Sequence, residues 1–268
     1  MNNKITDQYI EFKRIHGRLT FKLALRKMMS FFLHPFFGKP TYAKKGLYFY
    51  CKTRSDKYVF NEVWGDDSSY GHSGIVNHLK NGLIVDIGAH KGYFTLFASN
   101  YADRIISIEP MINNYKYLVR NRLVNLLYNV KTVNKAIGSF RGYANIYESS
   151  ISDARHSVYH TKFVGTGKLQ NIDQITIDDI MQKFTIEKID LLKIDCEGCE
   201  YDILFHSDGW LNKVSSIVLE VHESPEIKYN KDHLRQYLEH KGFIVDFYFQ
   251  RNFDDFNVCM AFCEKVQK

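Results

Sequence analysis

From Leu83 to the C-terminus, short apolar runs alternate with segments of helical pattern, and this alternation constrains the fold more than any other property of the chain. Leu83 to Ile87 is a buried-strand run stopped by Gly88, and Tyr93 to Ala98 begins a helix. Arg104 to Glu109 is a second strand ended by Pro110, and Asn113 to Leu126 is helical in pattern. Val130 to Ile137 supplies a third strand and Ala144 to Tyr147 a further short one, leaving residues 149–172 as a polar, weakly patterned loop. Thr176-Ile177-Asp178-Asp179 reads as a capping box opening a helix to Phe184, with Asp in the place usual for Glu. Ile189 to Asp195 and Ser216 to Val221 are the fourth and fifth strands. Lys231 to His240 is a helix stopped by Gly242, and Phe243 to Phe249 and Val258 to Phe262 close the chain as strands. Strands and helices alternating at this spacing predict an α/β fold with a mostly parallel sheet and helices on both faces. Such sheets bind ligands beyond the carboxyl ends of their strands, where strand order reverses. Asp86, Glu109, Asp195, Glu220 and His222 fall at those strand ends.

The length of 268 residues with 45% hydrophobic content suits one large domain, residues 46–268, with an appendage, residues 1–45. Residues 1–60 hold 13 Lys and Arg against 3 Asp and Glu, so a basic head precedes a mildly acidic body. Phe21, Leu25, Met28 and Phe32 fall at helical spacing beside a stripe of Arg18, Lys22 and Arg26, with Lys39, Lys44 and Lys45 beyond. Two readings stay open: an interfacial helix on anionic lipid headgroups through residues 18–45, or a helix packed on the body with a solvated charged edge. No nucleic-acid-binding module is recognised. No apolar run reaches the roughly 18–20 residues that span a bilayer, and the polar N-terminus lacks a secretory core, so the expectation is a cytoplasmic protein. The five cysteines, an odd count without a signal peptide, are expected to be reduced thiols.

Three motifs carry chemistry. In Asp86-Ile87-Gly88-Ala89-His90-Lys91-Gly92 the glycines allow a tight turn and close backbone approach to a ligand, and the following helix offers free N–H groups. The spacing is neither the dinucleotide fingerprint nor a P-loop, and alone it fits a bare strand-to-helix turn equally well. Glu109, at the end of the next strand, stands where an acidic residue accepts hydrogen bonds from both ribose hydroxyls of a nucleoside. The third motif runs from Leu191 to Leu204 and clusters Asp195, Glu197 and Glu200 just past a buried strand.

These segments together resemble the FkbM family of S-adenosylmethionine-dependent O-methyltransferases. Val85 to Thr95 matches the family's V-D-I/V-G-A-N-x-G-Y-F-T, with His90 where Asn is usual. Ile106 to Pro110 matches I-x-x-E-P. Leu191 to Leu204 matches L-L-K-I-D-V-E-G-A-E-Y-D-V-L, with Cys196 and Cys199 in place of small apolar residues. Ile175 to Asp179 is similar to the T-L-D-D element, and Phe60 to Tyr70 to the lead-in; the likeness begins near residue 58. It implies a Rossmann-like class I methyltransferase fold with a seven-stranded sheet whose last strand is antiparallel, and S-adenosylmethionine as cofactor. It further implies that Asp86, Gly88 and Gly92 surround the amino-acid end of the cofactor, that Glu109 binds its ribose, that Asn134 and Ala136 flank the adenine, and that His90 and Pro110 are among the cofactor-binding residues. Asp195 would lie near the methyl group. Tyr70, His72, Glu197 and Glu220 are the candidates for contacting a small-molecule or glycan acceptor.

An alcohol is a weak nucleophile at neutral pH, so a base or metal assists its methylation. His222 is one base candidate, since an unshifted imidazole titrates near neutrality; Asp195 is the other. Asp195, Glu220 and His222 could alternatively hold a divalent cation, although no metal is expected. Cys196 and Cys199 could form a zinc site with Cys259 and Cys263, but the second pair reads as small core residues on one strand face. Competing classes are a non-catalytic binding protein and an NAD-dependent oxidoreductase, the latter opposed by the missing glycines.

Overall fold

The computed structural model describes residues 21, 23–32, 34, 40, 42–66, 68–70, 73–149, 156–157, 167–207, 209–252 and 256–266. Beyond the helical residues 23–32, the elements in chain order are β1 (Tyr42–Lys44), β2 (Leu47–Phe49), α1 (Arg54–Trp64), α2 (Ser73–Leu79), β3 (Leu83–Ile87) and α3 (Tyr93–Ala98). Next come β4 (Arg104–Ile108), α4 (Ile112–Val124), β5 (Val130–Val133), β6 (Ala136–Ile137), β7 (Gly142–Glu148), β8 (Lys168–Ile175) and α5 (Ile177–Phe184). The chain ends with β9 (Ile189–Ile194), α6 (Glu200–Phe205), β10 (Val214–Glu223), α7 (Lys231–His240), β11 (Phe243–Asn252) and β12 (Asn257–Lys265).

Seven strands form the main sheet in the order β11-β12-β10-β9-β3-β4-β5. Strands β5, β4, β3, β9 and β10 are mutually parallel, while β12 runs antiparallel to both its neighbours. This is the expected Rossmann-like α/β architecture. Strand order reverses between β3 and β9, whose last residues Ile87 and Ile194 are paired, so both carboxyl ends open on the switch point.

The central strands read as continuous apolar runs because both faces are covered. Val85, Ile106, Leu192 and Ile217 point into one core with α5, α6 and α7. Ile84, Ile105, Leu191 and Val218 point into the other with α1, α2 and α3. Fully burying each such side chain contributes about 1.5–3 kcal/mol, which makes β3 and β9 a stiff base for the loops they carry.

The structure corrects several element boundaries. The third strand is interrupted after Val133, and Ala136–Ile137 leaves the main sheet to join β7 and β8 in a three-stranded side sheet. Residues 168–172, read as loop, belong to β8; alternate residues of this strand stay exposed, so its polar sequence hides the pattern. α1 was not foreseen, although Thr53 and Asp56 close a capping box at its start. The box at Thr176 and Asp179 forms as expected.

The β1–β2 hairpin straddles the boundary expected at residues 45 and 46. In the preceding helix Arg26 is buried, and its Nε and Nη1 each donate at 2.9 Å to the carbonyls of Asn125 and Gly46. Arg26 therefore faces the body and is not part of a solvated basic stripe. Among the described residues no helix is long and apolar enough to cross a membrane.

Candidate active site

The turn after β3 is shaped by its neighbour. Gly88 has φ +71°, and a Cβ built on it would fall 1.7 Å from the Asp195 carbonyl oxygen. Only glycine lets the first motif and the acidic motif touch. His90 also has positive φ, at +50°, a region that Asn and His enter more readily than most residues; this accommodates His90 where Asn is usual. The His90 N–H donates to Glu109 Oε2 at 2.8 Å, and the Met111 N–H donates to Oε1 at 3.0 Å. Burial is the main cause that pushes the Glu109 carboxyl up to about 7, against these backbone donors.

Gly88, His90, Glu109, Pro110 and Ala136 line a cavity of about 900 Å³. Three residues assigned to the cofactor from the resemblance lie behind it. Asp86 is fully buried, accepting from Thr95 Oγ1 at 2.6 Å and facing Lys193 Nζ at 3.4 Å. Gly92 abuts Leu118. Asn134 Nδ2 donates at 2.8 Å to the carbonyls of both Glu109 and Pro110, supporting the strand end from outside.

The opposite wall comes from β9, the acidic turn and β10. Asp195 keeps 27% of its side chain exposed and pairs through Oδ2 with Lys193 Nζ at 3.2 Å. Lys193 is buried and also donates to the Gly88 carbonyl at 2.8 Å. Burial opposes its charge, but Asp195 and Asp86 outweigh that and hold its pKa above the usual lysine value. Lys193 was not among the sequence candidates, although it sits inside the Leu191 to Leu204 motif.

His222 lies between carboxylates. Its Nδ1 is 2.9 Å from Glu200 Oε1, and its Nε2 is 3.3 Å from both Glu197 Oε2 and Glu220 Oε1. Burial would lower its pKa; Glu197 and Glu200, with Glu220, instead raise it well above the usual histidine value. Glu200, wholly buried, also accepts the Gly198 N–H at 2.9 Å. Burial pushes the Glu197 carboxyl up, with His222 opposing. Asp195, Glu220 and His222 each offer a ligand atom, all within 4.8 Å of one another, and are the only such group of three or more His, Cys, Asp or Glu among the described residues.

Several lining residues had no sequence signal beyond their type. Arg251 on β11 pairs with Glu62 Oε1 on α1 at 2.8 Å, bonds the Tyr58 hydroxyl, and lies over the Phe249 ring. Burial, then Glu220, pushes the Glu62 carboxyl up to about 8. Of the proposed acceptor contacts, Glu197 and Glu220 line the cavity. Tyr70 does not: it is buried with its ring 5.0 Å from that of Phe94. His72 lies outside the described residues.

The expectation of five reduced thiols is corrected. Cys196 and Cys199 are joined in a disulfide, because the turn brings their Cα atoms to 5.5 Å. Cys259 and Cys263 are free and buried in the core, as is Cys51, and the four-cysteine zinc reading has no support in this arrangement.

Comparison with known proteins identifies the family. The profile of the methyltransferase FkbM domain matches residues 86–245. The chain is similar to the methyltransferase sdnD of Sordaria araneosa, with 26% identity over 222 residues, covering 70% of this chain and 82% of that protein. It is also similar to the AMB antimetabolite synthetase AmbE of Pseudomonas aeruginosa, with 26% identity over 203 residues and 62% of this chain. It spans only 10% of the length of AmbE. A solved FkbM methyltransferase from Methylobacillus flagellatus superposes with a TM-score of 0.47 at 18% identity, covering 72% of this chain and 46% of that one. The match to the family profile covers more than half of the chain, and the chain belongs to the FkbM methyltransferase family.

Proposed function

We propose that the chain transfers a methyl group from S-adenosylmethionine to a hydroxyl oxygen of a sugar, glycan or other small-molecule acceptor. One observation carries this reading. A single cavity is lined by Gly88, His90 and Glu109 on one side and by Asp195, Glu220 and His222 on the other. At about 900 Å³ it is at the large end for a small-molecule site, in keeping with a nucleoside cofactor and an acceptor side by side.

The residues present fit the cofactor. Each Glu109 oxygen accepts one backbone N–H and keeps further accepting capacity for a ribose hydroxyl. The Gly88 turn allows close backbone approach, with Pro110 and Ala136 beyond. When bound, the cofactor supplies a methyl group on a sulfonium that already carries its leaving group. The chain's task is therefore to align the acceptor oxygen, exclude water and take up one proton.

The acidic wall supports a neutral hydroxyl acceptor over an anionic one, since a hydroxyl donates to carboxylates and a second anion is repelled by them. We assign proton uptake to Asp195, which faces the cavity with part of its carboxylate open. His222 is engaged at both ring nitrogens and serves to hold the acceptor wall in place.

The reading is tested by calorimetry with S-adenosylhomocysteine, then by incubating the enzyme with isotope-labelled methyl donor and cell extract and identifying the labelled product. Saturable cofactor binding and a labelled ether are expected. Absence of cofactor binding, or label only on nitrogen or carbon, overturns the reading. Asp195→Asn should lower turnover by roughly 10²–10⁴-fold with cofactor affinity retained, and near-normal turnover would remove Asp195 from the role.

A further inference from the structure

The geometry points to a divalent-cation site formed by Asp195, Glu220 and His222, opening on the acceptor side of the cavity. The inference rests on the reading above in placing the acceptor there, and an ion held by Asp195 would itself activate the acceptor hydroxyl in place of proton uptake by a free Asp195 carboxylate. The three ligand atoms already lie within 4.8 Å of one another. Adjacent ligands on a six-coordinate ion with bonds of about 2.1 Å stand about 3 Å apart, so side-chain adjustments of about an ångström would close the site.

The surroundings of His222 distinguish this cluster from a chance gathering of surface acids. Metal-ligating histidines usually donate their second ring nitrogen to a carboxylate that fixes tautomer and orientation. Here Glu200 has that position: it is wholly buried, and its Oε1 lies 2.9 Å from Nδ1. The same oxygen accepts the His222 N–H at 2.7 Å, and Oε2 accepts the Gly198 N–H at 2.9 Å. With Nδ1 so engaged, Nε2 stands 3.3 Å from both Glu220 and Glu197, and a cation bound there takes the place of the Nε2 proton, which is released on binding.

Charge points the same way. Asp86, Asp195, Glu197, Glu200, Glu220 and Glu62 converge on this region, and their ion-pair partners are Lys193, Arg251 and His222. Several carboxylates thus stand close together, and a bound cation relieves the repulsion between those that are ionised. Two carboxylates and one imidazole suit Mn²⁺, Fe²⁺ or Mg²⁺ better than a soft ion. Three protein ligands on a six-coordinate ion leave positions for acceptor oxygens or water.

The test uses the full chain, stripped with chelator and titrated with Mn²⁺ by calorimetry and by loss of the free-Mn²⁺ electron paramagnetic resonance signal. One equivalent is expected to bind with no cofactor present. His222→Ala and Glu220→Gln should each weaken binding at least tenfold. Glu200→Gln, at a residue that supplies no ligand atom but holds His222, should weaken it about 10–100-fold as a positioning residue. Glu239→Gln, on the exposed face of α7 and paired with Arg235, should leave it unchanged. S-adenosylhomocysteine binding measured on the same samples reports folding and separates the two readings. Cofactor binding without saturable Mn²⁺ binding, or Mn²⁺ affinity unmoved in folded His222→Ala and Glu220→Gln, overturns the cation site and leaves the methyltransferase reading standing. Mn²⁺ binding without cofactor binding does the reverse.

Discussion

A single oxygen of Glu200, Oε1, accepts both the backbone N–H of His222 at 2.7 Å and its Nδ1 at 2.9 Å, tying the start of α6 to the end of β10. The other oxygen holds the Gly198 N–H. Replacing Glu200 by Gln puts an amide donor where one of these donors must be accepted. The expected loss is about 1–3 kcal/mol, read by chemical denaturation. An unchanged denaturation midpoint would show that the tie is not stabilising.

Glu109 gives a pH prediction with a definite sign. Its carboxyl, pushed up to about 7 by burial, is largely neutral at pH 6 and ionised at pH 8. The carboxylate is the better acceptor for ribose hydroxyls, so cofactor Kd should fall about tenfold between those values. For the unliganded fold the sign is opposite. A raised carboxyl pKa means that stability falls as pH rises from the unfolded value toward 7, by about 3 kcal/mol. Glu109→Gln should bind cofactor more weakly and flatten both profiles; a Kd independent of pH in the unaltered protein would contradict the assignment.

Lys193 is buried between Asp86 and Asp195. Lys193→Met removes the cation from a fully buried Asp86 and should cost roughly 3–5 kcal/mol. Combining it with Asp86→Asn should recover part of that loss. Guanidinium denaturation of the two variants checks the difference, and equal losses would refute the pairing.

Gly88 and Gly242 separate crowding from backbone strain. Both have positive φ, +71° and +87°, but a Cβ at 242 meets nothing within 4 Å. Gly242→Ala should therefore carry only a strain cost of about 1–3 kcal/mol. Gly88→Ala must also displace the Asp195 backbone, and is expected to abolish cofactor binding in whatever fraction still folds. Calorimetry on both variants gives the comparison.

At the N-terminus, Phe21, Phe31 and Phe32 are 70%, 75% and 61% exposed while Arg26 is turned inward. An exposed aromatic arc within a basic head is suited to anionic bilayers. The full chain is expected to float with vesicles containing phosphatidylserine, and Phe31→Ser/Phe32→Ser is expected to remain in the aqueous fraction with unchanged melting temperature. Unaltered protein that stays with the aqueous fraction would end this expectation.

The doubly buried strands were legible because an apolar run ended by glycine or proline has few alternatives, as at Leu83 to Gly88 and Arg104 to Pro110. β8 was not, since Lys168–Ile175 lies in a side sheet and keeps polar residues on its open face. In the site, Glu109, Asp195, Glu220 and His222 were found because strand ends meet at the switch point. Tyr70 packs behind the cavity against Phe94, near Asp195, Glu220 and Glu62, a placement that a tyrosine in a lead-in does not announce. Arg251 escaped because its partner Glu62 is 189 residues away in the chain, a separation that local pattern cannot bridge.

The Cys196–Cys199 bond closes a small ring around Glu197 and Gly198, two residues that both have positive φ. In an oxidising medium the turn that aims Glu197 at His222 is stapled; in a reducing one it rests on hydrogen bonds, from the Gly198 N–H to Glu200 and from the Ser157 hydroxyl to the Glu197 carbonyl. One sequence thus presents its acidic wall on two mounts of different stiffness, and the redox poise around the protein becomes a variable of the acceptor site, to be fixed along with pH and temperature whenever its activity is compared between preparations.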